Sequence, residues 1–284
     1  MSDENRPHLI AHAARAYQTY PGAQYLLPAD LAEGERCQSG LPASTLEQLF
    51  GIVLAPVHFG EGDKVLDVGT GPGPWILDLA ESAPPSVSLV SIDIEPTLFP
   101  PSISHPTTLE FRAESTTVLP AAWTAAFSLV HQRLAGLSFQ TPEWPVALRE
   151  LYPGAQPNKP CMEALVAMQR ALTAARDLHI DCVHALPTMF SAAGFLDIHL
   201  EAQTLKLGRW AGALGVAMRT NHVEVFRGLK TPVLEVGGYE LVASEEAYDA
   251  LLEGLGREWD AIPTTENPGT QKEFVVFWAR KSTV

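Results

Sequence analysis

The stretch Lys64 to Ser82, KVLDVGTGPGPWILDLAES, constrains this chain more than any other. Val65 to Val68 reads as a short apolar strand bounded by turn residues. Gly69, Gly71 and Gly73 follow at alternate positions and form a loop, a choice that costs backbone entropy and so calls for a reason. Pro74 stands where a helix begins, its φ already set for the first turn. Trp75, Ile76 and Leu79 continue at helical spacing. Strand, glycine loop and helix in tandem put bare backbone beside the end of a buried strand, which is where open α/β sheets bind ligands.

The glycine spacing discriminates between ligand classes. A dinucleotide fingerprint, G-x-G-x-x-G, would need its third glycine at Pro74. A phosphate loop would need Gly-Lys-Ser/Thr, and none occurs in the chain. The pattern present is D-x-G-x-G-x-G, beginning at Asp67 and including Thr70 between the first two glycines. A nicotinamide-dependent oxidoreductase shares the expected fold class but lacks its required glycine here.

The rest of the chain reads as an α/β unit with helical covers. Residues 1–60 form a helical N-terminal cap, with helices expected over Leu9 to Tyr17 and Thr45 to Leu54, the latter capped by Ser44 and Glu47. The aromatic and polar stretch Tyr25 to Asp30, with Glu35 and Arg36, lies between them as either a packing arm or a cover over the ligand. Strands are expected at Val87 to Ile94, Leu109 to Ala113 and Phe127 to His131. Asp93 falls at the end of the second strand, about 20 residues beyond the glycine loop, where an acid holds ribose hydroxyls and can accept from both at once. A helix is expected over Val146 to Leu151, another through Met162, Leu165, Met168, Leu172 and Ala175, and a strand over Phe195 to Leu205. Residues 208–268 form a helical insertion, with helices over Ala211 to Leu229 and Ser244 to Trp259. Trp210, Met218, His222 and Phe226 in it line either a substrate pocket or a core. Glu273 to Arg280 is a last strand, antiparallel beside the previous one.

Composition narrows the partners. The 284 residues carry a net charge of −14 and are 46% hydrophobic. Such an acidic surface repels nucleic-acid phosphates and anionic lipid, so neither is expected as a partner. Cys37, Cys161 and Cys182 are odd in number and widely spaced, which argues for free thiols over a disulfide framework or zinc site. No His or acid cluster has metal-ligand spacing, so no metal is expected. The start, MSDENRPHLIAHAARAY, has no signal-peptide pattern, and a cytoplasmic protein is expected.

From Tyr25 to Tyr152 the phrases LLPAD, VLDVGTGPGPW, SIDIEP…FPPS, FSLVHQR and RELY occur in the order found in fungal small-molecule methyltransferases. The chain resembles class I S-adenosylmethionine-dependent methyltransferases, and within them the LaeA-like fungal group. The resemblance implies a Rossmann-like sheet flanked by helices over residues 61–284, with S-adenosylmethionine as cofactor. It implies cofactor contacts at Asp67, Gly69, Thr70, Gly71, Gly73, Asp93, Ile94, Glu114, Ser115 and His131. Glu114 and Ser115 stand where many members carry an Asp beside the adenine, with Trp123 and Leu119 as an apolar wall. His131 either packs on the methionine chain or takes a proton from the acceptor, and His222 is a second candidate base. The implied reaction is O- or N-methylation of a small secondary metabolite. The alternative is a cofactor-binding regulator without turnover. This alternative is motivated by a departure. After Tyr152 the family continues into a fifth strand, whereas Pro153, Pro157 and Pro160 here cannot donate ladder hydrogen bonds. A shortened or missing fifth strand is expected.

Overall fold

The computed structural model describes residues 11–39, 51–101, 106, 108–134, 137–138, 160–178, 185–264 and 269–281. Four parallel strands, β1 (Lys64–Val68), β2 (Ser88–Asp93), β3 (Leu109–Ala113) and β4 (Leu129–Gln132), form one sheet in the order β3-β2-β1-β4. The chain leaves β1 toward β2 and β3, then returns to its other side at β4. That reversal opens a crevice above the carboxyl end of β1. Register aligns Asp67 with Ser91 on one side and His131 on the other.

Side-chain alternation divides the apolar residues of β1 between the two faces of the sheet. Val65 packs with Trp75, Ile76, Leu79, Leu89 and Leu109 on one face, while Leu66 and Val68 join Ile92 on the other. The helix α2 (Pro74–Ser82) covers the first face. Its N-cap, Gly73, has φ 77°, and a Cβ there would stand 2.7 Å from the Phe111 ring. Trp75 Nε1 donates to the Ile52 carbonyl at 2.7 Å, tying α2 to the preceding segment.

A second core lies in the helical part. It is built by α3 (Pro160–Ala174), α5 (Gly212–Gly228), α6 (Lys230–Leu234) and α7 (Glu245–Asp260), packed around residues such as Met168, Met218, Phe226, Leu255 and Trp259. Ser244 caps α7 by accepting from the Ala247 amide. The Tyr248 hydroxyl donates to the Phe226 carbonyl at 2.7 Å. The chain further forms α4 (Leu186–Ala192) and β5 (Phe195–Leu207) between α3 and α5, and β6 (Thr270–Lys281) after α7. The two strands form a separate antiparallel ribbon, as the sequence suggests. Leu26 and Leu27 of the N-terminal segment are buried in the same core as α5 and α7. Among the described residues, no helix is long and apolar enough to cross a membrane.

Three differences from the expectations have physical causes. Residues 11–17 are irregular, although a helix was expected over Leu9 to Tyr17. Their side chains bind outward, Tyr17 donating to the Gly228 carbonyl and Arg15 pairing with Asp30, and so short a helix is marginal on its own. A helix absent from the expectations, α1 (Leu31–Ser39), occupies the stretch read as an inter-helix segment. Asp30 caps it, accepting from the Glu33 amide at 3.0 Å. Residues 51–54 are not helical, while the remainder of the expected helix to Leu54 and the whole of Val146 to Leu151 lie outside the described residues. Among the described residues the sheet ends at β4, with β5 and β6 in the separate ribbon. The proline-rich stretch after Tyr152 lies outside them.

Candidate functional site

A cavity of about 560 Å³ opens at the carboxyl ends of the strands. The glycine loop, Asp93, Ile94, Glu114 and Ser115 form its floor; Tyr25, Glu33 and Arg36 close one side; Gln169, Asn221, His222 and Lys272 face it from the helical part. The Tyr25 to Asp30 stretch therefore covers the cavity, with Tyr25, Leu27, Pro28 and Ala29 in its wall.

Gly69 and Gly71 have φ of 66° and 54°, and a Cβ at either would meet nothing within 4 Å. Both thus present bare backbone to open space. Asp93 fastens this loop: its Oδ2 accepts from the Gly71 amide at 2.8 Å and its Oδ1 from the Glu95 amide at 3.0 Å. With the Ile94 amide also turned toward the carboxylate, part of its roughly four acceptor positions remains for a ligand. Burial pushes the Asp93 pKa above the ordinary carboxylate value, and the amides of Gly71, Glu95 and Ile94 oppose that shift. The Glu114 amide donates to the Asp93 carbonyl at 3.1 Å. The Ser115 hydroxyl is buried and pairs with Thr117 at 2.9 Å.

Asp67 braces the loop from beneath. The Thr70 hydroxyl donates to its Oδ2 at 2.6 Å and meets the Ser91 hydroxyl at 3.1 Å. The Asp67 Oδ1 lies 2.7 Å from His131 Nδ1. The imidazole donates from Nδ1 to this carboxylate, which leaves the lone pair on Nε2. The His131 ring stacks on Trp75 at 3.6 Å between centroids, with planes 11° apart. Burial lowers its pKa, outweighing the opposing pull of Asp67, so the ring is neutral at pH 7. Asp67 lines the cavity, as do Gln132 and Arg133 beside His131; His131 itself is not among the lining residues.

Facing the sheet lies a polar cluster of which sequence reading named only Arg36, within the covering segment, and His222. Arg36 Nε donates to both oxygens of Glu33 at 3.0 Å, Nη2 adds a bond at 2.6 Å, and Nη1 donates to Asn221 Oδ1 at 2.7 Å. Burial opposes the Arg36 charge, but the Glu33 carboxylate outweighs it and holds the guanidinium protonated. His222 donates from Nδ1 to the Met218 carbonyl at 2.8 Å and accepts at Nε2 from Lys272 at 2.7 Å. Burial, then the Lys272 charge, push its pKa well down. Both ring nitrogens are engaged, so His222 in this arrangement offers no lone pair to a substrate. Cys37 sits against this cluster with its thiol pKa pushed up to about 11 by burial. Cys37 and Cys161 are free; Cys182 lies outside the described residues.

Of the other expected pocket residues, Phe226 lines the cavity. Met218 is fully buried core, and Trp210 stands under Lys206, away from the cavity. Trp123 and Leu119 do not form an apolar wall. Trp123 packs edge-on against Phe127 beneath Arg112, and Leu119 is exposed. Among the described residues, no group of three or more His, Cys, Asp or Glu side chains could hold a metal ion.

No family model matches the chain. It is 32% identical over 137 residues to the N-methyltransferase verN of Clonostachys rogersoniana, covering 47% of each protein. It is 29% identical over 185 residues to the N-methyltransferase tcpN of Claviceps purpurea, covering 55% of this chain and 63% of that protein. It is 27% identical over 248 residues to the secondary metabolism regulator LAE1 of Pyricularia oryzae, covering 74% and 72%. The chain spans about half the length of the first of these relatives and under two thirds of the second. Among solved structures, a cyclopropane-fatty-acyl-phospholipid synthase-like protein from Lactobacillus casei aligns with a TM-score of 0.47 at 14% identity, covering 90% of this chain and 95% of that one. The chain is thus similar in sequence to fungal proteins named N-methyltransferases and secondary-metabolism regulators.

Proposed function

We propose that the chain is an S-adenosylmethionine-dependent methyltransferase that modifies an oxygen or nitrogen of a small metabolite. One observation carries this reading: Asp93 and the bare faces of Gly69 and Gly71 meet at the floor of a cavity whose roof is a separate set of helices. The cofactor fits these residues. The loop has no side chain to displace, Asp93 keeps acceptor capacity for a diol, and the volume lies in the range of small-molecule sites. Similarity to the fungal N-methyltransferases supports the same reading.

Asp93 would hold the ribose hydroxyls, with Ile94, Glu114 and Ser115 at the adenine end and Gly69, Thr70, Gly71 and Gly73 shaping the loop. Asp67 would keep that loop in place, and His131 would act as a positioning residue through its bond to Asp67. The bound cofactor supplies a methyl group on a sulfonium that is already a strong electrophile. What remains for the chain is to orient the acceptor and exclude water. Tyr25 and Arg36 on one side and the 208–268 insertion on the other would do this. His222, held by Met218 and Lys272, would shape the acceptor side rather than carry a proton.

A second reading is a cofactor-binding regulator. The observation favouring it is the sheet that ends at β4 among the described residues, together with similarity to LAE1. Incubation with methyl-tritiated cofactor and a panel of small amines and hydroxyl compounds separates the two. Label appearing in an acceptor is the expected result; cofactor binding with no transfer to any panel member would favour the regulator.

A further inference from the structure

Arg133 directly follows β4 and lines the cavity. The strand register fixes its place. Val68 of β1 pairs with Ile92 on one side and with Gln132 on the other. The next level of the sheet is therefore Asp93, Gly69 and Arg133, with the first glycine of the loop in the middle. Neighbouring strands run about 4.8 Å apart, so the backbones of Asp93 and Arg133 stand about 10 Å apart across the loop. Gly69 between them offers bare backbone to open space. Amides fasten the Asp93 side, and Arg133 has no comparable tie. Among the described residues, every other arginine has an ion pair or a further polar or ring interaction. Arg133 has no hydrogen bond, ion pair or ring contact with them, although it is half-buried, and its guanidinium nitrogens are reached by solvent. Its charge is felt at His131, which sets the guanidinium on the β4 flank beside the Asp67–His131 pair.

We propose that Arg133 is the carboxylate-binding residue of this cavity and pairs with a carboxylate of a ligand lying against the glycine loop. A guanidinium keeps its proton and presents parallel N–H donors in a planar fork that matches the two oxygens of a carboxylate. A half-buried pair of this kind is screened less than one on the open surface. Four acids of the wall are already engaged: Asp67 by Thr70 and His131, Asp93 by backbone amides, Glu33 by Arg36, and Glu95 by Thr97. Of the other cations that line the cavity, Arg36 is matched by Glu33, and Lys272 donates to His222 on the helical side. Two ligands can bring the carboxylate: the amino-acid tail of the cofactor, reaching across the loop from a ribose on Asp93, or an acidic methyl acceptor. Both of these sources rest on the proposed function. That Arg133 takes a carboxylate rests on the register, the cavity and the guanidinium alone.

Each source has a pair of probes that differ at the carboxylate. S-adenosylhomocysteine and methylthioadenosine share the nucleoside and the thioether, and only the first has the amino-acid tail. Benzoate and benzamide share one shape, and only the first is an anion. Binding of all four to the full chain, to Arg133→Gln and to Arg133→Lys is measured by titration calorimetry, with melting temperatures as the check on folding. The unaltered chain is expected to prefer the acid in at least one pair. Arg133→Gln should remove about tenfold of that preference and leave the neutral member of the pair unchanged. Arg133→Lys keeps the charge without the fork and should retain part of it. Neither variant should lower the melting temperature, because Arg133 makes no bond within the described chain. Loss confined to the adenosyl pair assigns the carboxylate to the cofactor tail, and loss confined to the benzoate pair assigns it to the acceptor; either supports the proposal. No preference for the acid in either pair, preferences that Arg133→Gln leaves unchanged in both, or an equal loss of acid and neutral members would overturn it. Failure of both adenosyl compounds to bind overturns the methyl-transfer reading instead, and the benzoate pair then decides Arg133 by itself.

Discussion

Asp93 holds the glycine loop through the Gly71 amide and lines the cavity, and under the proposed function it also receives the ligand. Asp93→Ala is expected to weaken S-adenosylhomocysteine binding by about 1.5–3 kcal/mol, the worth of hydrogen bonds to a charged group; titration calorimetry reads this directly. Its raised pKa adds a pH signature. Ligand hydroxyls bind the ionised form, so affinity should be level near neutrality and fall on acidification at a higher pH than an ordinary aspartate would give. The glycines separate stability from binding. Gly73→Ala drives a Cβ into Phe111 and should lower the melting temperature. Gly71→Ala meets open space and should cost about 1–2 kcal/mol of left-handed strain while occupying ligand volume, so its binding loss exceeds its stability loss. Asp93 and the glycines were legible because their spacing is local. The bond between Asp67 and His131 was not, since it joins residues 64 apart through the β1–β4 register.

At the scale of elements, α1 and α5 are joined by the Glu33–Arg36–Asn221 chain. Arg36→Met would leave Glu33 charged and 1% exposed without its partner, at a cost of about 3–5 kcal/mol. Adding Glu33→Gln should recover part of that loss in chemical denaturation, because the cost lies in the orphaned charge. This pair also explains why α1 escaped sequence reading. Its buried face carries Glu33 and Arg36 instead of aliphatic residues, so the 3.6-residue apolar rhythm that announces a helix is absent. The Asp30-x-x-Glu33 cap was the one local signal available. By contrast β1, β2, β3, α3, α5 and α7 carry their apolar residues at regular intervals and were readable to within a few residues.

At the scale of the whole molecule, the cavity lies between the sheet and the helical part, and each side carries a histidine, His131 half-buried and His222 buried. His131 and His222 have pKa values depressed by burial. A depressed histidine contributes stability that is present above its unfolded pKa, about 6.5, and lost as pH falls below it toward the folded value. Stability should therefore decline between pH 7 and 5, by at most about 1.4 kcal/mol per pH unit for each histidine. His222→Gln should flatten the slope in thermal melts, while a slope unchanged by that variant would place the acid sensitivity elsewhere. The make-up of the cavity was only partly readable, because Gln169, Asn221 and Lys272 reach it from three elements far apart in the chain. Titration calorimetry of the intact chain with S-adenosylhomocysteine tests the central claim most directly. One-to-one binding in the micromolar range, weakened at least about tenfold by Asp93→Ala, is the expected result. A folded, monodisperse sample that gives no binding heat, or a dissociation constant that Asp93→Ala leaves unchanged, would contradict it.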